Sequence, residues 1–147
     1  MQKLVSEVIS SKEEMYSKIN FECRTILFNI GKYLNENPFV LDSLYEEFYM
    51  TFGNTVMFSK RSLIFAKIFY KKYHEVITMF PSNMTWNHCV ALLRKNYSIH
   101  RDILLIQTIA LFSLNEKEID YFLHTGDIKF ITDDGSVNNI VLEFMNL

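Results

Sequence analysis

Apolar residues recur at three- and four-residue spacing through most of this chain, and that recurrence lays out a series of amphipathic helices. Met15, Ile19, Cys23 and Leu27 or Ile30 mark a first helix of about five turns, running to Gly31 or slightly beyond. Ser11-Lys12-Glu13-Glu14 before it has the Ser-x-x-Glu form in which a hydroxyl and a carboxylate each satisfy a free backbone amide. Asn35-Glu36-Asn37-Pro38 closes this region. Val40, Leu41, Leu44, Tyr45 and Phe48 form the stripe of a second helix that stops near Phe52-Gly53-Asn54.

Ser59 is suited to cap a third helix that continues through Tyr73 or His74. Pro81-Ser82-Asn83 breaks the chain, Thr85 caps a fourth helix, and Trp86, Cys89, Val90 and Leu93 give its buried side. Ile103 to Phe112 is a strongly apolar fifth segment. Ser113-Leu114-Asn115-Glu116 reads as a second capping box, opening a short helix that buries Ile119, Phe122 and Leu123 before Gly126 ends it. The final stretch changes character: Ile128 to Thr132 and Val137 to Phe144 flank Asp133-Asp134-Gly135, a pattern that fits a β-hairpin and also a short helix from Val137.

The expected fold is therefore all-α. A compact five-to-six-helix domain with a helix-turn-helix or winged-helix-like core covers residues 1–126, and residues 127–147 form a hairpin or short helix packed on it. Composition agrees, since 49% of the residues are apolar while Gly and Pro number four and two, which favours helices over a loop-rich β fold. A chain of 147 residues can enclose a hydrophobic core without disulfides or a structural metal.

Charge divides the chain more sharply than its net value of −2 suggests. Residues 36 to 50 contain Glu36, Asp42, Glu46 and Glu47 with no Lys or Arg, whereas residues 59 to 73 contain Lys60, Arg61, Lys67, Lys71 and Lys72 with no acid. At about 100° per residue, Lys60, Lys67 and Lys71 share one stripe with Arg61 and Lys72 beside it. Leu63, Phe65, Ala66, Phe69, Tyr70 and Tyr73 take the opposite side. Two helices joined by a Gly-containing turn, the second one basic, suit a helix-turn-helix whose second helix enters the major groove. The basic face would meet phosphates, with Ser59, Arg61 and Ser62 at the helix start. Ile64 and Ile68 project among the lysines and mark a place where something packs, either another helix, a thymine methyl or a protein partner.

Several chemistries find no support. Cys23 and Cys89 show no Cys-x-x-Cys spacing and read as reduced core residues of an intracellular, cytoplasmic protein. His74, His88, His100 and His124 include no pair spaced to hold zinc from one helical face, and His88 suits capping or packing at a helix start. Asp133-Asp134 with Glu143 is a faint echo of a nuclease carboxylate cluster that lacks the following lysine. There is no Gly-rich phosphate loop and no nucleophile elbow, so neither enzyme activity nor a cofactor or metal is expected. No apolar h-region opens the sequence and no eighteen-residue apolar run occurs, so neither secretion by that route nor membrane contact is expected. Trp86 and the other aromatics are able to stack bases, but their helical spacing assigns them to the core first.

The order Ile30-Gly31-Lys32-Tyr33, Leu41 and Leu44, Phe58-Ser59-x-x-x-Leu63 with Phe69-Tyr70, and Thr85-Trp86-Asn87-His88 with Leu92-Leu93 resembles the helical N-terminal domain of the YhcG-like bacterial proteins. The resemblance spans roughly residues 15 to 125. In that family the domain precedes a nuclease domain of PD-(D/E)XK type, of which this sequence carries no counterpart. Phe112-Ser113 also stands where the family has Trp-Ser. The resemblance implies a winged-helix-like module for DNA binding or protein association, found on mobile elements and in defence-related loci.

Two functions follow as expectations. One is a non-catalytic module that binds nucleic acid or a host nucleoprotein complex through Ser59, Lys60, Arg61, Ile64, Lys67, Ile68, Lys71 and Lys72. The other is a small phage or mobile-element inhibitor of anti-defence or anti-CRISPR type that binds a host protein or ribonucleoprotein. The apolar run from Ile103 to Phe112 leaves a homodimer possible as a third arrangement.

Overall fold

The computed structural model describes the backbone of residues 12–125 and the side chains of residues 22–125. The described chain is all-helical: α1 (Lys12–Glu36), α2 (Leu41–Phe52), α3 (Lys60–Tyr73), a single 3-10 turn (Ile77–Met79), α4 (Trp86–Lys95), α5 (Ile99–Leu111) and α6 (Glu116–Thr125). Among the described residues there is no strand. Ser11, Gly126 and the segment 127–147, with its hairpin or helix and its acidic residues, lie outside the described residues.

Local signals set most of these boundaries. Ser59 caps α3 by accepting from the Ser62 amide, and Ser98 does the same for α5 from Arg101. Thr85 and His88 form a reciprocal capping box: Thr85 Oγ1 accepts from the His88 amide, and His88 Nδ1 accepts from the Thr85 amide at 3.0 Å. The expected box at Ser113–Glu116 is displaced by two residues. Asn115 Oδ1 accepts from the Glu118 amide and Glu118 Oε1 from the Asn115 amide, while Ser113 turns the chain at φ 50°. Ile109 takes the Leu114 amide in that turn, so Ser113 ends α5 and starts nothing.

The first helix continues beyond Gly31 to Glu36, inside the Asn35–Pro38 segment expected to close it, and Gly31 lies buried where α1 crosses α3. A Cβ at this position would run into the Ala66 carbonyl oxygen and come within 3.0 Å of Tyr70 Cβ. Glycine here lets two helix backbones touch. Asn35 fastens the crossing by donating from Nδ2 to the Gly31 carbonyl at 2.7 Å and to the Lys67 carbonyl at 2.9 Å.

Leu63, Ala66, Phe69 and Tyr73 form the buried stripe of α3, with Leu27 and Leu34 buried on α1. Phe69 is central, meeting the rings of Phe28, Tyr73, Phe80 and Trp86 at centroid separations of 5.3–6.2 Å. The core continues through Cys89, Leu92, Leu105, Ile106, Ile109, Ile119 and Phe122. On α4 the buried residues are His88, Cys89, Leu92 and Leu93, so the helix is turned from the expected face and leaves Trp86 and Val90 half-exposed. Two buried polar residues brace this core. Arg24 donates from Nη1 to the carbonyls of Pro81 (2.7 Å) and Met84 (2.8 Å), fixing the chain between the 3-10 turn and α4. His88 reaches Asp120 of α6 through Nε2 at 2.8 Å.

α2 is the exception to this burial. None of its residues is buried, and it is held mainly by stacking of Phe48 and Phe52 on Phe58.

Candidate nucleic-acid interface

The outward side of α3 follows from the burial of the other side. With Leu63, Ala66, Phe69 and Tyr73 facing inward, Lys60, Arg61, Ile64, Ile68 and Lys71 are exposed and Lys67 is half-buried at the edge. Ile64 and Ile68 retain 47% and 45% exposure, so no other described helix covers the apolar patch that they make. The structure therefore brings together six of the eight residues picked from sequence. Ser59 is occupied as the N-cap, with its hydroxyl also donating to Ser62 Oγ at 3.2 Å.

Lys72 does not belong to the open face. Its Nζ lies 2.7 Å from Asp102 Oδ2 and donates to the Tyr97 carbonyl at 2.8 Å. Tyr73 donates to the same carboxylate oxygen at 2.7 Å. Asp102 is fully buried, and its Oδ1 has no hydrogen-bond partner. Burial pushes the Asp102 carboxyl above its ordinary value, against the opposing pull of Lys72 and Tyr73. The Tyr73 hydroxyl is pushed far up by the same burial and by its bond to Asp102. Lys72 is thus the counter-ion of a buried carboxylate. Asp102, directly before the apolar segment that begins at Ile103, was the signal for this, because a carboxylate buried with that segment needs a partner on a neighbouring helix.

Lys60 is different. It pairs with Asp42 of α2 at 3.4 Å, but both side chains are largely exposed and the pair is open to water.

Two further cations, Arg94 and Arg101, were not expected from the sequence. Arg94 of α4 joins Arg61 of α3, each placing a guanidinium 5.6 Å from the centroid of Phe65, which lies between their helices. Farther along, Arg101 covers Tyr97 at 4.1 Å. Glu75 is the one acid in the sequence between Asn54 and Arg101, and it lies just past the C-terminal end of α3 beside His74. The acid-free run from Val76 to Arg101 was the legible clue to Arg94.

Beside Arg61 opens a cleft of about 450 Å³ between α1, α3 and the start of α4. Phe65, Trp86, Leu27, Met57 and Val90 line it, and Arg61 and Asn87 also face it. Cys23 lines it too, with its thiol pushed up by partial burial and by the nearby Glu22. Cys89 is fully buried, and burial raises its thiol to about 12 against the pull of Arg24. Neither cysteine is in a disulfide.

Among the described residues no group of three or more His, Cys, Asp or Glu side chains could hold a metal ion. No helix among them is long and apolar enough to cross a membrane. Comparison of the chain with family models, curated proteins and solved structures gives no match.

Proposed function

We propose that this helical domain is a non-catalytic module that binds nucleic acid through the outer face of α3. The observation that carries this reading is the exposure of Lys60, Arg61 and Lys71, with Lys67 half-buried beside them, on a helix that contains no acid. Such a face attracts the phosphate backbone without help from the net charge of the molecule. The resemblance to the YhcG-like N-terminal domain supports it, and its motif residues Ser59, Leu63, Thr85 and His88 are those that start and seat α3 and α4. A helix-turn-helix made by α2 and α3 belongs to the same reading. The seven residues between these helices exceed the usual turn of about 3–4, so the proposal rests on the face of α3 and not on that motif.

The test is a titration of duplex and single-stranded oligonucleotides across a range of salt concentrations. Affinity should fall steeply with salt, and Lys67→Glu with Lys71→Glu should abolish binding at moderate salt while leaving the helical circular dichroism signal unchanged. Lys72 is left intact because it neutralises Asp102. Affinity that stays flat with salt would refute the reading.

A second reading draws on Ile64 and Ile68, whose exposure amid cations also suits a protein surface. In that reading the chain is a small phage or mobile-element inhibitor of a host protein or ribonucleoprotein. Recovery of one host complex from nuclease-treated lysate, with no affinity for free nucleic acid, would favour it.

A further inference from the structure

The cleft beside α3 has a chemistry that the stripe of lysines lacks. Its wall includes two aromatic residues, Phe65 and Trp86, both packed against the core yet half-exposed, so that each lines the cleft as well. Phe65 carries Arg61 and Arg94 against its ring, which restrains both guanidinium groups. Among the described residues no carboxylate lies within ion-pair distance of either arginine. An aromatic slot next to two arginines without counter-ions is complementary to a nucleotide with its base unstacked. Its volume falls within the roughly 300–1,000 Å³ typical of small-ligand sites.

We infer that the cleft receives a base from single-stranded nucleic acid, with Phe65 and Trp86 contacting the ring while Arg61 and Arg94 hold the flanking phosphates. This rests on the nucleic-acid reading above and narrows it to single strands. In a duplex the base is stacked and paired, so it does not present a face to the slot. Aromatic stacking and phosphate contact are the two parts of single-strand recognition, and neither requires a particular base. The strand would then run along the groove between α3 and α4, where Ile64 and Ile68 flank its path on the α3 side.

Trp86 is the one tryptophan of the chain, so its fluorescence reports on the cleft directly. The experiment titrates the full chain with a twelve-residue oligodeoxythymidylate, with an abasic strand of equal phosphate count, and with a polyglutamate peptide of equal length. Expected are quenching of Trp86 by the thymidylate, about tenfold weaker binding of the abasic strand, and no quenching by that strand. Arg94→Glu, an exposed substitution, should weaken thymidylate binding about tenfold with the circular dichroism spectrum unchanged. Equal binding of both strands without quenching overturns the cleft while leaving the nucleic-acid reading intact. Binding of neither strand overturns both. Quenching by polyglutamate at equal or higher affinity also overturns the inference, because the occupant is then an acidic protein segment.

Discussion

Replacing Gly31 by alanine tests how closely the backbones of α1 and α3 approach at their crossing. In a free helix this change stabilises by about 0.5–1 kcal/mol, because glycine loses more backbone entropy on folding. Here the added Cβ would collide with the Ala66 carbonyl oxygen, with the Ala66 carbonyl carbon 2.8 Å away and Tyr70 Cβ 3.0 Å away. Two of these three atoms are backbone, which cannot swing aside as a flexible side chain can. The helices must separate, and forcing an extra carbon into a packed site costs about 1–3 kcal/mol. Separation also stretches the two bonds from Asn35 that span the crossing, each contributing about 0.5–1.5 kcal/mol. After subtraction of the propensity gain, a net loss of about 2 kcal/mol is expected.

Urea unfolding followed by circular dichroism measures it. With a slope of about 1–3 kcal/mol per molar urea, the midpoint should fall by about 1 M. Gly53→Ala is the control: Gly53 has open space around it but φ of 75° and ψ of −159°, so its cost is purely conformational and about 1–3 kcal/mol. A Gly31→Ala midpoint equal to or above that of the unaltered protein would refute the close crossing.

Tyr73→Phe should cost about 1.5–3 kcal/mol at neutral pH by removing a hydrogen bond to a buried carboxylate. The folded state holds the Asp102 proton more tightly than the unfolded chain, so its contribution is present below the ordinary value of 3.8 and lost as pH rises through the raised folded value. Because the Tyr73 bond favours the charged form, the loss should be larger at pH 7 than at pH 4, and equal urea-midpoint shifts at both would sink this account. Arg24→Met should cost about 3 kcal/mol by leaving the Pro81 and Met84 carbonyls without their donor, read by the same unfolding assay. Thiol labelling at pH 8 should modify Cys23 slowly and Cys89 only in denaturant, since burial holds the Cys89 thiol near 12; rapid labelling of both in the native protein would contradict the packing.

The helices were legible in the sequence because their signals are local. Ser59, Thr85 and the periodicity of Leu63, Ala66, Phe69 and Tyr73 act within one or two turns and place α3 and α4 to within a residue or two. Errors arose where a distant residue decides the outcome. The role of Gly31 depends on Ala66 packed against it, and the face of α4 that is buried depends on core contacts of Cys89, Leu92 and Leu93, with His88 reaching Asp120 far along the chain. The Ser98 cap was locally visible and overlooked, because the apolar run from Ile103 drew the boundary inward.

The charge of the interface obeys the same division, and magnitudes decide which cations remain available to it. Lys60 and Lys72 both belong to the basic side expected of α3, the first on its stripe and the second beside it, yet their carboxylate partners differ in kind. The Lys60–Asp42 pair is exposed on both sides, where such pairs contribute about 0–1 kcal/mol, and a phosphate can displace Asp42 at little cost. Removing Lys72 from Asp102 leaves a fully buried carboxylate without its counter-ion, a change that costs about 3–5 kcal/mol in comparable settings. One phosphate contact does not recover that energy. Arg94 adds a cation from another helix beside Phe65, so positive charge extends from the ridge of α3 toward α4. On the proposed single-strand reading, positive charge beside Phe65 and Trp86 lets stacking and phosphate contact act on the same nucleotide.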